Sequence, residues 1–151
     1  MNRFTENQIR RTATSIVKWI NSRWLTGDNK WRKGGWLCIL DPDGKIFFHE
    51  PIGEVPAEKD EKYKALAAEK ALRLHEHPEH NMSWQSRDPD KNQWGGAARH
   101  PDGWIISFSG FSEFWDEYLV LALFQALEMH DEISRTASTS IIDYYQKSPD
   151  D

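Results

Sequence analysis

The feature that most restricts the fold of this chain is a pair of tight turns of one kind. Asp41-Pro42-Asp43-Gly44 and His100-Pro101-Asp102-Gly103 each stand between two runs of strand length. Proline presets φ near the start of such a turn and glycine permits the reversal that ends it, so each segment folds back within a few residues. The first turn joins Trp36-Leu37-Cys38-Ile39-Leu40 to Lys45-Ile46-Phe47-Phe48-His49. The second joins Trp94-Gly95-Gly96-Ala97-Ala98-Arg99 to Trp104-Ile105-Ile106-Ser107-Phe108-Ser109. Hairpins pair neighbouring strands antiparallel, which excludes a doubly wound parallel sheet. The unbroken apolar run Leu37–Leu40 reads as a central strand covered on both faces.

Helical periodicity surrounds and separates the hairpins. Thr5 and Gln8 make a capping box, after which Ile9, Ala13, Ile16, Val17, Ile20 and Trp24 recur on one face until Gly27 stops the helix. From Ala57 to about His75 the pattern returns in Tyr63, Leu66, Ala67, Ala71 and Leu74, with Pro78 beyond its end. Residues 79–92 have no usable period and read as a long loop. Ser112 is placed to cap a third helix over Phe114 to Met129. Its Tyr118, Leu119, Leu121, Ala122, Phe124, Ala126 and Leu127 spread so widely that burial on more than one side is expected. A last segment, Asp131 to Gln146, fits a helix with Ile133, Ala137, Ile141 and Tyr144 inward. The order helix-hairpin-helix-hairpin-helix, with one further helix, defines an α+β fold: an antiparallel sheet with flanking helices. A chain of 151 residues holds one domain, placed at 1–130 and followed by a C-terminal extension over 131–151, a helix with a frayed tail.

Composition decides among partners. The net charge is −5 and the best basic stretch, Lys30-Trp31-Arg32-Lys33, is short, so the clustered cations that bind a phosphate backbone are missing and no nucleic acid is expected. Nothing approaches the ~20 apolar residues needed to cross a bilayer. The opening Met1-Asn2-Arg3-Phe4 carries no apolar signal core, and the cytoplasm is the expected compartment. With one cysteine, Cys38, neither an intramolecular disulfide nor a cysteine-based zinc site can form. Its place within an apolar strand suits a small buried hydrophobe. Eight tryptophans and an aromatic share of 13% imply a dense core or a pocket for a flat ligand, walled by Trp36, Trp94 or Trp104.

Three blocks then carry a resemblance. Leu37-Cys38-Ile39-Leu40-Asp41-x-Asp43-Gly44, the helical Ala67-Ala68-Glu69-Lys70-Ala71, and Gly95-Gly96-Ala97 followed by Asp102-Gly103, Ser109-Gly110 and Asp116-Glu117 resemble the GlcG/HbpS-like family of haem-degrading or haem-binding proteins. The blocks occur in the family's order over about Trp36 to Leu127. The resemblance implies a three-layer, profilin-like arrangement, a homo-oligomer (a dimer or higher), and haem as the ligand of some members. Where the family usually carries Arg-Met-Asp-Gly after its second strand, this chain reads His49-Glu50-Pro51-Ile52-Gly53. Its glycine-dense stretch before Ser-Gly is here the bulkier Trp104-Ile105-Ile106-Ser107-Phe108.

The resemblance also places a ligand groove at Gly95, Gly96, Arg99, Ser109 and Gly110, and His49, His75 and His100 are the candidate haem ligands. The residues themselves supply physical reasons and limits. Paired glycines admit close approach of another group to the backbone, and Arg99 suits a carboxylate. Ser109-Gly110-Phe111-Ser112 enters a helix N-terminus, where free N–H groups hold anions. Glu113, Asp116 and Glu117 fill that first turn and complement the helix dipole. A ligand there is therefore expected to be of low or positive charge, or to use N–H groups outside the turn. His75 and His77 lie about 200° apart on a helix and cannot share one ion. With His80 they read as helix-end residues, and no metal is expected. No reaction template fits. The expected function is binding of a small molecule, haem or another planar ligand. The alternatives are a ligand-free oligomerisation or interaction module and a small-metabolite enzyme.

Overall fold

The capping box forms as the sequence requires: the Thr5 amide donates to Gln8 Oε1 at 2.7 Å, and the Gln8 amide donates to Thr5 Oγ1 at 3.1 Å. These bonds come from a computed structural model that describes residues 4–24 and 32–136. They open α1 (Glu6–Trp24), which buries Ile9, Ala13, Val17 and Ile20 along one stripe. Then follow β1 (Gly34–Leu40), β2 (Ile46–Gly53), α2 (Asp60–His75), β3 (Ala97–Arg99), β4 (Ile105–Ser109) and α3 (Glu113–Thr136). Gly27, Lys30, Trp31, Ala137, Ile141 and Tyr144 lie outside the described residues, as do the side chains of Trp24 and Ile133.

Both hairpins are present, and they meet along their inner strands. The sheet order is β2-β1-β4-β3 and every pair is antiparallel. Trp36 lies opposite Ser109 and Leu40 opposite Ile105, which makes β1 a central strand, buried along its whole length. At one end of this seam glycine is compulsory. A Cβ on Gly110 would stand 2.4 Å from the Gly34 carbonyl oxygen and 2.5 Å from Gly35 Cα.

Side chains alternate across a strand, so one sheet feeds two cores. Leu37, Ile39, Ile106 and Phe108 face α1 and α3, where they join Ile9, Val17, Leu119, Leu123 and Leu127. Trp36, Cys38, Leu40, Ala97 and Ile105 face α2 and pack on Tyr63, Ala67, Ala71 and Leu74. Helices therefore flank both faces of an antiparallel sheet, an α+β architecture. Among the described residues no helix is long and apolar enough to cross a membrane.

The structure corrects the sequence reading at three places. The strand expected from Trp94 spans only Ala97–Arg99, because Gly96 has φ of +121°, which no strand residue adopts. The stretch 79–92 contains short 3-10 turns at Ser83–Ser86 and Pro89–Lys91. The third helix runs unbroken across the gap expected near residue 130, and among the described residues it is covered on one side. Leu119, Val120, Leu123, Phe124 and Leu127 are buried, whereas Phe114 (67% exposed), Tyr118 and Leu121 (48% exposed) face outward.

Candidate functional site

Alanines at 67 and 71 let α2 settle close to the sheet, near enough for the Ser107 hydroxyl to donate to the Ala67 carbonyl. The next inward position on this helix is Lys70. Its ammonium donates to the Phe108 carbonyl at 2.8 Å and to Asp116 Oδ2 at 3.1 Å. Asp116 Oδ1 in turn accepts the Phe111 N–H at 2.8 Å. The side chains of the pair are 2% and 3% exposed, so a charged bridge ties α2, the end of β4 and the first turn of α3 together inside the protein.

Gly96 completes this arrangement. A Cβ there would stand 2.8 Å from Lys70 Nζ and 3.0 Å from both Asp116 Cβ and the Phe108 carbonyl oxygen, at a φ of +121° that already favours glycine. Burial pushes the Asp116 carboxyl up to about 6, against the Lys70 charge and the Phe111 N–H, which favour the anion. A bridge with so little solvent is costly to leave half-paired.

The pair forms the floor of a cleft of about 480 Å³. Lys59, Lys62, Tyr63 and Leu66 wall it from the side of α2, with Asn92 and Trp94 from the loop before β3 and Arg32 from the segment before β1. Ser109, Phe111, Ser112 and Glu113 close it from the entry to α3. Trp94 is held by its indole N–H, which donates to Asn92 Oδ1 at 2.7 Å.

Two acids of the first turn of α3 are matched by donors from other elements. Glu113 accepts two bonds from Arg87, at 3.0 and 2.9 Å, and the Gly95 N–H at 2.7 Å. Burial alone would raise its carboxyl, but these donors outweigh burial and hold it below the ordinary range. Asp116 is matched by Lys70. Glu117 does not line the cleft, and burial together with the Glu113 charge raises its carboxyl. The cleft therefore carries Arg32, Lys59, Lys62 and Lys70 against two partnered carboxylates. Lys59 and Lys62 make no ion pair among the described residues. Among the described lining residues the cationic side chains outnumber the carboxylates.

The expected groove residues divide. Ser109 lines the cleft, Gly96 lies against the Lys70–Asp116 pair, and Gly95 donates to Glu113. Gly110 packs on Gly34 and Gly35. Arg99 is elsewhere: its guanidinium donates to the carbonyls of Leu74 (2.6 Å), His77 (3.0 Å) and His80 (3.2 Å), satisfying the C-terminal end of α2.

None of the three candidate histidines lines the cleft, and they do not meet. His49 Nε2 is 3.0 Å from the Lys64 carbonyl oxygen and its ring stands edge-on to Trp36. Burial lowers its basicity. His75 packs against the turn at Gly44. His100 lies on the opposite face of the sheet, bonded to Glu128 and 2.7 Å from Asp102. The tryptophans are divided too: Trp36 donates to Asp60, Trp104 is buried under α1 and α3, and Trp94 alone of the three lines the cleft.

Lys59, Lys62, Tyr63, Lys70 and Asn92 were not marked by sequence as site residues. For Lys70 a signal exists, since a lysine at a position that periodicity assigns to the buried face needs a buried partner. No family model matches the chain, and no curated protein or solved structure matches it significantly.

Proposed function

We propose that this protein binds a small planar anion in the cleft between α2 and the entry to α3. The observation that carries the reading is the cleft itself: about 480 Å³, walled by Tyr63, Trp94 and Phe111, cationic at Lys59 and Lys62, and floored by a buried Lys70–Asp116 pair. Its volume falls within the range of small-molecule pockets, and aromatic walls with a few placed polar groups are what such pockets use. Lys70 also has a donor to spare, because two of its three ammonium hydrogens are engaged by Phe108 and Asp116. A carboxylate or phosphate would take it, together with the rim lysines.

The resemblance to the GlcG/HbpS-like family supports the same place. Its helical block supplies Lys70, its glycine block Gly96 and its last block Asp116, and these three are packed on one another. The sheet with helices on both faces is compatible with the profilin-like arrangement that the family implies. His49, His75 and His100 all lie off the cleft, so on this reading histidine does not hold the ligand there. A planar porphyrin would be held there by its carboxylates and ring face.

Thermal-shift titrations with benzoate, naphthoate and hemin test the reading, on wild type and on Lys59→Glu/Lys62→Glu. Saturable stabilisation by the planar carboxylates is expected, lost in the double variant and absent with neutral naphthalene alcohols. Equal stabilisation by the neutral analogues, or an undiminished response in the double variant, overturns it.

A second reading rests on a separate observation. Trp19 of α1 stacks on Tyr118 of α3, with ring centroids 5.6 Å apart, beside exposed Phe114 and Leu121. An apolar strip of this kind suits a subunit interface, which is where the expected homo-oligomer would form. Sedimentation of wild type against Phe114→Glu/Leu121→Glu tests it: a change from oligomer to monomer supports the interface, and a monomer in both excludes it.

A further inference from the structure

The turn that leaves α2 gathers two imidazoles and a carboxylate. In His77-Pro78-Glu79-His80 the His80 amide donates to the His77 carbonyl at 2.9 Å with proline second, a β-turn that brings the first and fourth residues together. The His77 and His80 rings lie parallel with centroids 4.9 Å apart, and the ligand atoms offered by His77, Glu79 and His80 all fall within 4.8 Å of one another. The reason His75 and His77 cannot share an ion still holds, but the pair that matters is bridged by the turn.

Four observations prepare these groups for a cation. His77 Nδ1 lies 2.7 Å from the Arg73 carbonyl oxygen, so this nitrogen holds the proton and Nε2 keeps its lone pair for a ligand. A backbone carbonyl on the far nitrogen is the usual way of orienting a metal-bound histidine. His80 Nδ1 is buried without any hydrogen-bond partner, an uncompensated polar atom on this ring. Glu79 Oε1 stands 3.6 Å from His80 Nε2 on a side chain that is 64% exposed and able to swing inward. The backbone beneath is fixed by Arg99, which binds the carbonyls of both His77 and His80.

We propose that His77, Glu79 and His80 form a site for a divalent transition metal of the Zn²⁺, Co²⁺ or Ni²⁺ type, with water completing the coordination. Two imidazoles and one carboxylate match the preferences of these ions. The oxygen-rich shell that Ca²⁺ and Mg²⁺ require is absent from the cluster. Binding requires the His80 ring to turn out of the stacked arrangement, with His77 kept on the Arg73 carbonyl, so that the ligand nitrogens converge at about 2.0–2.1 Å from the ion. The site lies in the turn just after α2, at the start of the loop that continues to Asn92 and Trp94. The proposal does not depend on what the cleft binds.

The test is calorimetric titration of untagged protein with Zn²⁺ alone, repeated with Co²⁺ and followed by its visible d–d bands. Variants are His77→Ala, His80→Ala, Glu79→Gln and, as a control outside the cluster, His75→Ala. One saturable equivalent is expected in wild type and in His75→Ala, with affinity reduced more than about tenfold in the histidine variants. Glu79→Gln, at an exposed position, keeps the test valid if a histidine variant does not fold, and it too should weaken binding and lose the four-coordinate Co²⁺ spectrum. No saturable binding by wild type, binding unchanged in the cluster variants, or equal loss in His75→Ala overturns the proposal.

Discussion

The face of the sheet beneath α1 and α3 presents Leu37, Ile39, Ile106 and Phe108, and it meets large apolar side chains such as Ile9, Leu119, Leu123 and Phe124. The face beneath α2 presents Trp36, Cys38, Leu40, Ala97 and Ile105, and the helix answers largely with alanine. One face is thick and apolar. The other is thin, and its shortened side chains admit what the first excludes: a hydroxyl bonded to a helix carbonyl, a buried ion pair and a cleft. Chemistry gathers on the thin face because close backbone approach supplies donors and acceptors to groups that would be unsatisfied in a purely hydrocarbon core.

The largest expected effect tests the ion pair. Lys70→Met should cost about 3–5 kcal/mol at neutral pH, because it strands Asp116 without its partner. Lys70→Met/Asp116→Leu should recover most of that loss in urea denaturation, and a double variant no better than the single one would show that the pair is not the bridge described here. The matching change on the thick face is Leu123→Ala, at a fully buried position. It should cost about 2–5 kcal/mol as a cavity while leaving thermal shifts by planar carboxylates unchanged. Loss of those shifts would mean that the faces are not independent.

A pH series sharpens the comparison further. The Asp116 carboxyl is raised from 3.8 to about 6 in the folded chain. Below 3.8 both states carry the proton; between 3.8 and about 6 the unfolded chain releases it and the native chain keeps it. Its contribution to stability is therefore full below that window and is lost as pH rises through it. The stability of wild type minus that of Asp116→Asn should decline across this interval and level off above it, and a rising difference would contradict the burial argument. The smallest effect is Ser107→Ala, which should cost about 1 kcal/mol by removing one buried neutral hydrogen bond. A loss as large as that of Leu123→Ala would mean that the hydroxyl carries more than its bond to Ala67.

Much of the fold was readable from local pattern. The capping box at Thr5 and Gln8, the two proline-glycine turns and the apolar run of β1 each act within a few residues, so their signals survive in one dimension. Burial of α3 was overestimated because its composition records how apolar the helix is, not how many neighbours arrive to cover it. Tyr118 and Leu121 are exposed because, among the described residues, the sheet and α1 pack on the opposite side of the helix. The site was half visible. Gly95, Gly96 and Ser109 stand out as backbone features, but the pairing of Glu113 and Asp116 is not legible because their partners come from other elements. Arg87 lies 26 residues from Glu113, and Lys70 lies 46 residues from Asp116.

Sequence by itself determined the elements of this protein, their order and the antiparallel hairpins, since turn chemistry and periodicity are properties of neighbouring residues. Tertiary structure alone decided that Lys70 meets Asp116 beneath Gly96, that acids at a helix start are matched by Lys70 and Arg87, and that His77 pairs with His80 over a carbonyl-bound arginine. Those outcomes depend on which faces come together. A charged side chain acquires its meaning from the partner that long-range packing brings within about 3 Å of it, where the bond can repay the loss of water.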